Sequence, residues 1–327
     1  MIDNRVNRLP LSWNPVRWLK DFEEAIRKNH GYKELRSQVF EHTVRIVKDG
    51  HYTTKESEVE MDTALKDKLT ADTVFYNETD EFHPLDTQKN KHDLKIEVLN
   101  ADCLDTVQNM LAKGFNPALL NMASRRNPGG GVLQGAGAQE ENIFRRSNLF
   151  VSLYQFIEYA AVYGVRPHHR FKYPINRASG GIYSPGVTVF RSSEETGYGL
   201  LDTPYQVSVV TVPAINRPAL IKQGSHYLLR PDFIAPTKQK IRTVLRIAAK
   251  HGHDSLVLSA FGCGAFCNPP KHIARLFQEV FAEEEFQGVF SHIVFAIRED
   301  KNTFRKHNPE GNLKPFQEVF EEFQAGS

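Results

Sequence analysis

Pro117-Ala118-Leu119-Leu120-Asn121-Met122-Ala123 is a short apolar run. Shortly beyond it the chain continues Asn127-Pro128-Gly129-Gly130-Gly131-Val132-Leu133-Gln134-Gly135-Ala136-Gly137-Ala138-Gln139-Glu140-Glu141. The first run reads as a buried strand, and the apolar periodicity from Gln139 to Tyr163 reads as one long helix. Strand, loop and helix in that order are the unit of an α/β fold. Three consecutive glycines, then Gly135 and Gly137, suit a backbone that approaches a ligand closely or takes positive φ. Bare N–H groups in such a loop can hold a phosphate, and a fixed carboxylate can do acid/base work. Binding surface and reactive group thus lie side by side.

The same alternation extends outward from this unit. Leu94–Leu99 reads as a strand, Leu104–Lys113 as a helix, and Gly181–Arg191 and Gln206–Pro213 as strands. A helix is expected over Lys238–His251, a strand over Ser255–Ser259, a helix over Ile273–Glu283 and a strand over Val289–Ile297. Strands alternating with helices predict a three-layer α/β domain with a parallel or mixed sheet, whose ligands bind at the carboxyl ends of strands. Both glycine-bearing loops, 127–138 and 261–269, follow predicted strands, which is expected to bring them to one edge. Upstream, Asn14-Pro15 with Val16, Trp18, Leu19, Phe22 and Ile26 predicts a capped amphipathic helix. A second helix is predicted from about Leu35 to Gly50, and the polar stretch 52–70 reads as connector.

Composition narrows the class. The chain has 327 residues, 40% hydrophobic and 24% charged, with 41 Lys+Arg against 39 Asp+Glu; mean hydropathy is −0.44. A net charge of +2 gives no broad attraction to nucleic acid or an anionic membrane, though a local basic site is compatible with it. The first eight residues lack a signal-like apolar run, and no run approaches the ~20 residues of a membrane span. Three cysteines, Cys103, Cys263 and Cys267, make a poor disulfide framework and suit a reducing compartment. The expected location is cytoplasmic, or nuclear in a eukaryote.

Each candidate feature has a plain structural alternative. Loop 127–138 lacks the Gly-Lys-Ser/Thr ending of a Walker A loop and the register of a dinucleotide fingerprint. Glu140 and Glu141 suit a first helical turn, and Glu141 could pair with Arg145. In Ala260-Phe261-Gly262-Cys263-Gly264-Ala265-Phe266-Cys267-Asn268-Pro269-Pro270 the glycines free the backbone before a helix, and Phe266 is either a stacking ring or core. Cys263 and Cys267 lack a matching second pair, so no metal is expected. Asp102 is an acceptor for an exocyclic amine or the N-cap of the following helix. Asn121, inside an apolar strand, needs a partner from a neighbouring loop or a ligand hydroxyl.

Taken together these elements resemble the macrodomain superfamily, and most closely the microbial-type poly(ADP-ribose) glycohydrolase family. Its signature of triple glycine, spacer and Gln-Glu-Glu is matched by Gly129-Gly130-Gly131 and Gln139-Glu140-Glu141. Asn121-Met122-Ala123-Ser124, Arg145-Arg146-Ser147-Asn148-Leu149, Ile182-Tyr183-Ser184-Pro185 and Gly262-Cys263-Gly264-Ala265-Phe266 follow the family's order. The likeness spans roughly residues 35–298.

The resemblance implies a three-layer α/β/α macrodomain with a mixed sheet and an N-terminal helical accessory segment. Residues 1–90 would form that segment packed on the core, 91–300 the catalytic core and 301–327 a helical tail. It further implies hydrolysis of ribose–ribose O-glycosidic bonds in poly(ADP-ribose), releasing ADP-ribose, with no cofactor. Glu141 would be catalytic and Glu140 would hold the ribose hydroxyls. Asn127, Gly129, Gly130, Gly131, Val132 and Gln139 would wrap the distal ribose, with Asn121 beside them. Gly262, Cys263, Gly264 and Ala265 would cradle the diphosphate, Phe266 would pack on the distal ribose, and Asp102 would contact adenine. Ser124 stands where many relatives carry Asn, leaving Asn127 as the candidate for that role.

Adjacent carboxylates cannot easily flank one bond, so Glu141 is expected to act first as acid and then as base. The expected partners are poly(ADP-ribose) or ADP-ribosylated protein, with no direct nucleic-acid or membrane binding, and the chain is expected to be a monomer. Two other readings stand beside this one: a mono-ADP-ribosyl hydrolase on protein or nucleic acid, and a non-catalytic ADP-ribose reader.

Overall fold

The strands that the apolar runs predict assemble into one seven-stranded mixed sheet in a computed structural model of the chain. The structure describes residues 6–7, 9–77, 82, 92–224, 226–300 and 302–325. Part of the expected accessory segment, 83–90, lies outside the described residues, as do both chain ends. Along the chain the strands are β1 His51–Thr53, β2 Glu58–Glu60, β3 Val74–Tyr76, β4 Lys95–Leu99, β5 Pro117–Met122 and β6 Gly181–Arg191. They continue with β7 Leu200–Val212, β8 Leu220–Gln223, β9 His226–Leu229, β10 Ser255–Leu258 and β11 His292–Ala296. The large sheet has the order β3-β6-β7-β5-β10-β11-β4, while β1–β2 and β8–β9 form two-stranded antiparallel pairs.

The chain divides into two compact units that interleave along its length. One comprises 1–75, 123–175 and 184–209; the other comprises 76–122, 176–183 and 210–327.

In the second unit β5, β10, β11 and β4 run parallel, with Leu256 opposite Ala118 and Ile293, and Ile293 opposite Ile96. β5, β10 and β11 are buried along most of their length, which explains their largely apolar sequences, whereas the edge strand β4 is mostly exposed or half-buried. Their carboxyl ends point the same way: β4 leads to Asp102, β5 to residue 123 and β10 to residue 259. The C-terminal helix Leu313–Ala325 packs on β4 and on the helix Pro270–Phe281. Phe316 and Phe320 meet Phe295 of β11 there, at centroid distances of 5.2 and 4.8 Å. Burying such rings is worth about 2–3 kcal/mol each, so this tail is core.

The first unit holds the helices Pro15–Arg27 and Tyr32–Asp49. The first starts where Asn14 accepts from the Arg17 N–H; the second stops at Gly50, whose φ is +80°. The polar stretch read as connector is ordered into the β1–β2 pair and a helix, Thr63–Asp72, capped by Asp62. Its short strands and mixed charge hid it from periodicity.

The long helix predicted from Gln139 to Tyr163 is broken. It consists of Gln139–Arg146, Leu149–Tyr154 and a 3-10 turn at Ala160–Tyr163. The break falls on Ser147-Asn148. Ser147 is extended and bridges Val189 of β6, and its hydroxyl donates to the Ile143 carbonyl at 2.7 Å. The Asn148 N–H donates to the Thr188 carbonyl, and its side-chain oxygen accepts from the Thr188 N–H. Short polar side chains thus offer the backbone an alternative to the helix, and a neighbouring strand takes it.

Candidate active site

The helix Gln139–Arg146 carries Glu140 and Glu141 in its first turn, with no side-chain cap before it. Both carboxylates are buried, 4% and 7% exposed, and both reach back to the glycine loop. Glu140 Oε1 accepts from the Gly129 N–H at 3.0 Å and Oε2 from the Ser124 N–H at 2.7 Å. Glu141 Oε1 accepts from the Gly131 N–H at 2.8 Å, whereas its Oε2 is buried with no hydrogen-bond partner among the described residues. The Gly130 N–H closes a turn onto the Asn127 carbonyl at 2.9 Å. The triple glycine therefore spends its donors on the protein's own acids and turn rather than holding them out for a phosphate.

Gly130 cannot be replaced without moving the acid. Its φ is +55°, and a Cβ there would stand 2.4 Å from Glu141 Oε1. Arg145 turns away from Glu141, contrary to the simple i,i+4 alternative. Its Nε donates to the Tyr198 hydroxyl at 3.0 Å and its Nη2 to the Ala136 carbonyl at 2.8 Å. Asn127 is exposed, Val132 is buried, and Gln139 is half-buried at the first position of the helix.

The second N-terminal helix braces this loop from within the same unit. Ser37 Oγ donates to the Leu133 carbonyl at 2.9 Å, and the Lys33 carbonyl packs against Gly135 so closely that no Cβ would fit. Arg36 forms a two-pronged pair with Glu194 at 2.7 and 2.6 Å. The Tyr198 hydroxyl donates to Glu194 Oε2 at 2.9 Å, linking the pair to Arg145. Burial pushes the Glu194 carboxyl up, but the Arg36 hydrogen bond and charge outweigh it and leave it below the usual range. Beside this chain of contacts, fully buried Arg191 donates to Thr43 Oγ1, to the Tyr198 carbonyl and to His42 Nδ1. Burial, reinforced by the Arg191 charge, lowers the His42 pKa to about 3.

The loop after β10, in the other unit, is built differently. Gly262 has φ +74°, and a Cβ would lie 2.6 Å from Asn268 Nδ2. That amide is buried and lies within donating distance of the carbonyls of Ile215, Gly262 and Phe266, at 2.8, 3.1 and 3.3 Å. His307 Nε2 donates to the Cys263 carbonyl at 2.7 Å. Among the described residues no acceptor meets the N–H groups of Gly264, Ala265 and Phe266. Three successive free amides are the donors that an anion needs. Burial pushes the Cys263 thiol well up, which suits neither a nucleophile nor a metal ligand. Among the described residues no cluster of three or more His, Cys, Asp or Glu could hold a metal ion. Phe266 is half-buried.

Asp102 caps the helix Cys103–Ala112, its Oδ1 accepting from the Leu104 and Asp105 N–H groups at 2.9 and 3.1 Å. Its Oδ2 lies 3.9 Å from Arg298 Nη1. Asn121 is fully buried; its Nδ2 donates to Thr211 Oγ1 on β7 at 3.3 Å, and its Oδ1 has no partner among the described residues. The structure thus joins Gly129, Gly130, Gly131, Glu140 and Glu141 in one unit and Gly262 to Phe266 in the other. Residues that sequence reasoning missed are supports: Arg36, Ser37, Glu194, Tyr198, Asn268 and His307. All but Asn268, which stood inside a quoted motif, lie far along the chain from what they hold.

A mixed sheet whose parallel strands lead at their carboxyl ends into glycine loops, with an acid pair locked to one of them, defines a macrodomain-type α/β protein. Comparison with known proteins is more specific. The family model for the microbial-type PARG catalytic domain matches residues 41–192. Poly(ADP-ribose) glycohydrolase from Deinococcus radiodurans, solved with ADP-ribose, is 30% identical over 79% of this chain and 98% of its own, with a TM-score of 0.60. The Thermomonospora curvata enzyme is 28% identical, covering 87% and 99%, at 0.69. Its structure with the inhibitor ADP-HPD is 29% identical, covering 86% and 98%, at 0.66. No curated protein matches the chain in sequence. The chain belongs to the microbial-type poly(ADP-ribose) glycohydrolase family.

Proposed function

We propose that the chain hydrolyses ribose–ribose O-glycosidic bonds of poly(ADP-ribose), releasing ADP-ribose, with Glu141 as the proton-transferring group. The observation that carries this is the asymmetry of the Glu141 carboxylate. One oxygen is fixed by the Gly131 N–H while the other is buried and unpartnered. A buried acceptor without a partner costs about 1–3 kcal/mol, a cost that a substrate hydroxyl or glycosidic oxygen at that position removes.

The protonated acid gives its proton to the leaving ribose oxygen as the C–O bond breaks, leaving an oxocarbenium-like centre. The resulting carboxylate then takes a proton from water as the hydroxyl adds to that carbon, which restores the acid. Glu140, whose two oxygens accept from the Gly129 and Ser124 N–H groups, locks the loop and lies against the ribose hydroxyls. Asn127, Gly129–Gly131, Val132 and Gln139 close around the distal ribose, with Asn121 offering its free Oδ1. The amides of 264–266, together with Gly262 and Cys263, take the diphosphate, Phe266 packs on the sugar and Asp102 contacts adenine.

We place the protein in the cytoplasm, as a monomer acting on polymer or ADP-ribosylated protein. Three free cysteines support a reducing compartment. Among the described residues no helix is long and apolar enough to cross a membrane.

The test is Glu141→Gln, which keeps the shape and removes the acid. Turnover of auto-modified polymer should vanish while ADP-ribose binding survives. Near-normal hydrolysis by that variant would remove Glu141 from its role. Release by the unaltered protein from mono-ADP-ribosylated protein alone would make it a mono-ADP-ribosyl hydrolase, and binding without release from either substrate would make it a reader.

A further inference from the structure

Between Glu158 and Glu194 the chain has no carboxylate, and none stands between Asp105 and Glu140. Within the first interval Arg166, His168, His169, Arg170 and Lys172 crowd into one segment; within the second, Arg125 and Arg126 immediately precede the glycine loop. The structure ties the two together. The Ile175 N–H donates to the Arg125 carbonyl at 3.0 Å, and Arg125 Nη1 donates to the Ile175 carbonyl at 3.3 Å. Upstream, the N–H groups of His168 and Tyr173 donate to the Gln155 and Phe156 carbonyls at 2.6 and 3.0 Å. The basic segment is thereby fixed to the stretch that begins the loop around Glu141.

Arg126, Arg166, His169, Arg170 and Lys172 are exposed. Lys172 lies 3.4 Å from Glu158, both well exposed, an arrangement worth little in water. Among the described residues no carboxylate pairs with Arg126, Arg166 or Arg170. The segment also carries a column of rings. Phe75 stacks on Phe171 (5.4 Å, 3°), Phe171 on His168 (5.4 Å, 23°) and His168 on His169 (4.8 Å, 18°). His168 Nδ1 accepts from the Arg170 and Phe171 N–H groups at 3.1 and 3.0 Å, which fixes that ring in place. The column ends on His169, which is exposed between two arginines in sequence.

Guanidinium groups beside an exposed flat ring match a nucleotide-like unit: arginine takes phosphate in a fork, and a ring face takes a base. We propose that this segment is a second binding surface for poly(ADP-ribose), engaging an ADP-ribose unit other than the one held at Glu141. Its diphosphate meets Arg126, Arg166 and Arg170, and its adenine extends the ring column at His169. This rests on reading the chain as a poly(ADP-ribose) hydrolase. A +2 chain has no long-range field for a polyanion, so the attraction is confined to this patch, within a screening length of about 10 Å at ordinary salt. The consequence is a chain-length preference, because a single ADP-ribose has nothing left for the second surface.

The experiment compares the Arg166→Glu/Arg170→Glu double variant, and separately His169→Ala, with the unaltered chain in binding free ADP-ribose and in cleaving long chains. For the double variant, the KM on long chains should rise on the order of tenfold at low salt, with a flatter salt dependence. His169→Ala should raise the same KM less and leave the salt dependence as it was. Affinity for free ADP-ribose should stay unchanged in both. An equal change for ADP-ribose and for long chains, or no change on long ones, overturns the proposal. Repeating long-chain binding in a Glu141→Gln background reads this surface without turnover, so its failure is distinguishable from failure of the hydrolase reading. Single-stranded DNA that binds the patch without competing against polymer would also overturn it, as a general nucleic-acid surface.

Discussion

Two loops rich in glycine put the same flexibility to opposite uses. In 127–138 the backbone donors turn inward: the N–H groups of Gly129 and Gly131 hold the carboxylates of Glu140 and Glu141. In 261–269 they stay unspent: among the described residues the N–H groups of 264–266 meet no acceptor, and the loop is held by the Asn268 amide and His307. A glycine run alone therefore does not identify an anion site. What decides is whether the protein supplies its own acceptors.

The sharpest way to break this contrast is Gly130→Ala. With φ at +55° and a Cβ 2.4 Å from the Glu141 oxygen, the carboxylate must move. Misplacement by about 1 Å costs on the order of 100-fold in kcat. Single-turnover hydrolysis of polymer measures it; a variant within a few-fold of normal would show that the carboxylate's position matters little.

Next in size is Asn268→Ala in loop 261–269. It removes an NH2 group whose two hydrogens are shared among three carbonyls and should cost about 1–3 kcal/mol of stability. ADP-ribose affinity should fall alongside, read by denaturant unfolding and by calorimetric titration. Unchanged affinity would separate this loop from the diphosphate.

Bracing of the inward loop predicts a comparable effect. Glu194→Gln breaks the two-pronged pair with Arg36 and should lower stability by about 1–3 kcal/mol. The buried groups also set a pH dependence. The unfolded His42 imidazole takes up a proton below about 6.5, whereas the folded one resists until about 3, so acid favours unfolding across that interval. Glu194 acts in the same direction: its lowered folded pKa supplies stability above the ordinary carboxylate range that is lost as pH falls through the folded value. Urea midpoints measured from pH 7 down to 4 should fall, and should fall less in His42→Asn.

The smallest effect is expected for Gly264→Ala. The nearest atom to an added Cβ is 3.6 Å away, an ordinary contact, so stability should change by less than about 0.5 kcal/mol. If affinity for ADP-ribose drops while the melting temperature holds, the backbone there faces the ligand.

Much of the fold was legible because burial leaves a simple mark. Ala118-Leu119-Leu120 and Leu256-Val257-Leu258 are unbroken apolar runs, as parallel strands buried on both faces must be. Asn14-Pro15 and Gly50 marked helix ends through local chemistry, and both ends fell where expected. The break at Ser147-Asn148 was not legible, because it depends on β6, whose Thr188 and Val189 lie some forty residues on. The β8–β9 pair was missed because its residues are exposed or half-buried, all but one, and follow no clear alternation.

The sequence by itself determined the α/β class, the placement of both glycine loops after strands and the acid pair behind the first, since periodicity and motif spacing are local properties. Only the tertiary structure decided which oxygen of Glu141 is tied and which is free, which amides remain unspent, and that Arg36, Ser37 and Tyr198 hold the loop. Hydrogen-bond partners and desolvation depend on residues distant along the chain, and no local pattern records who meets whom.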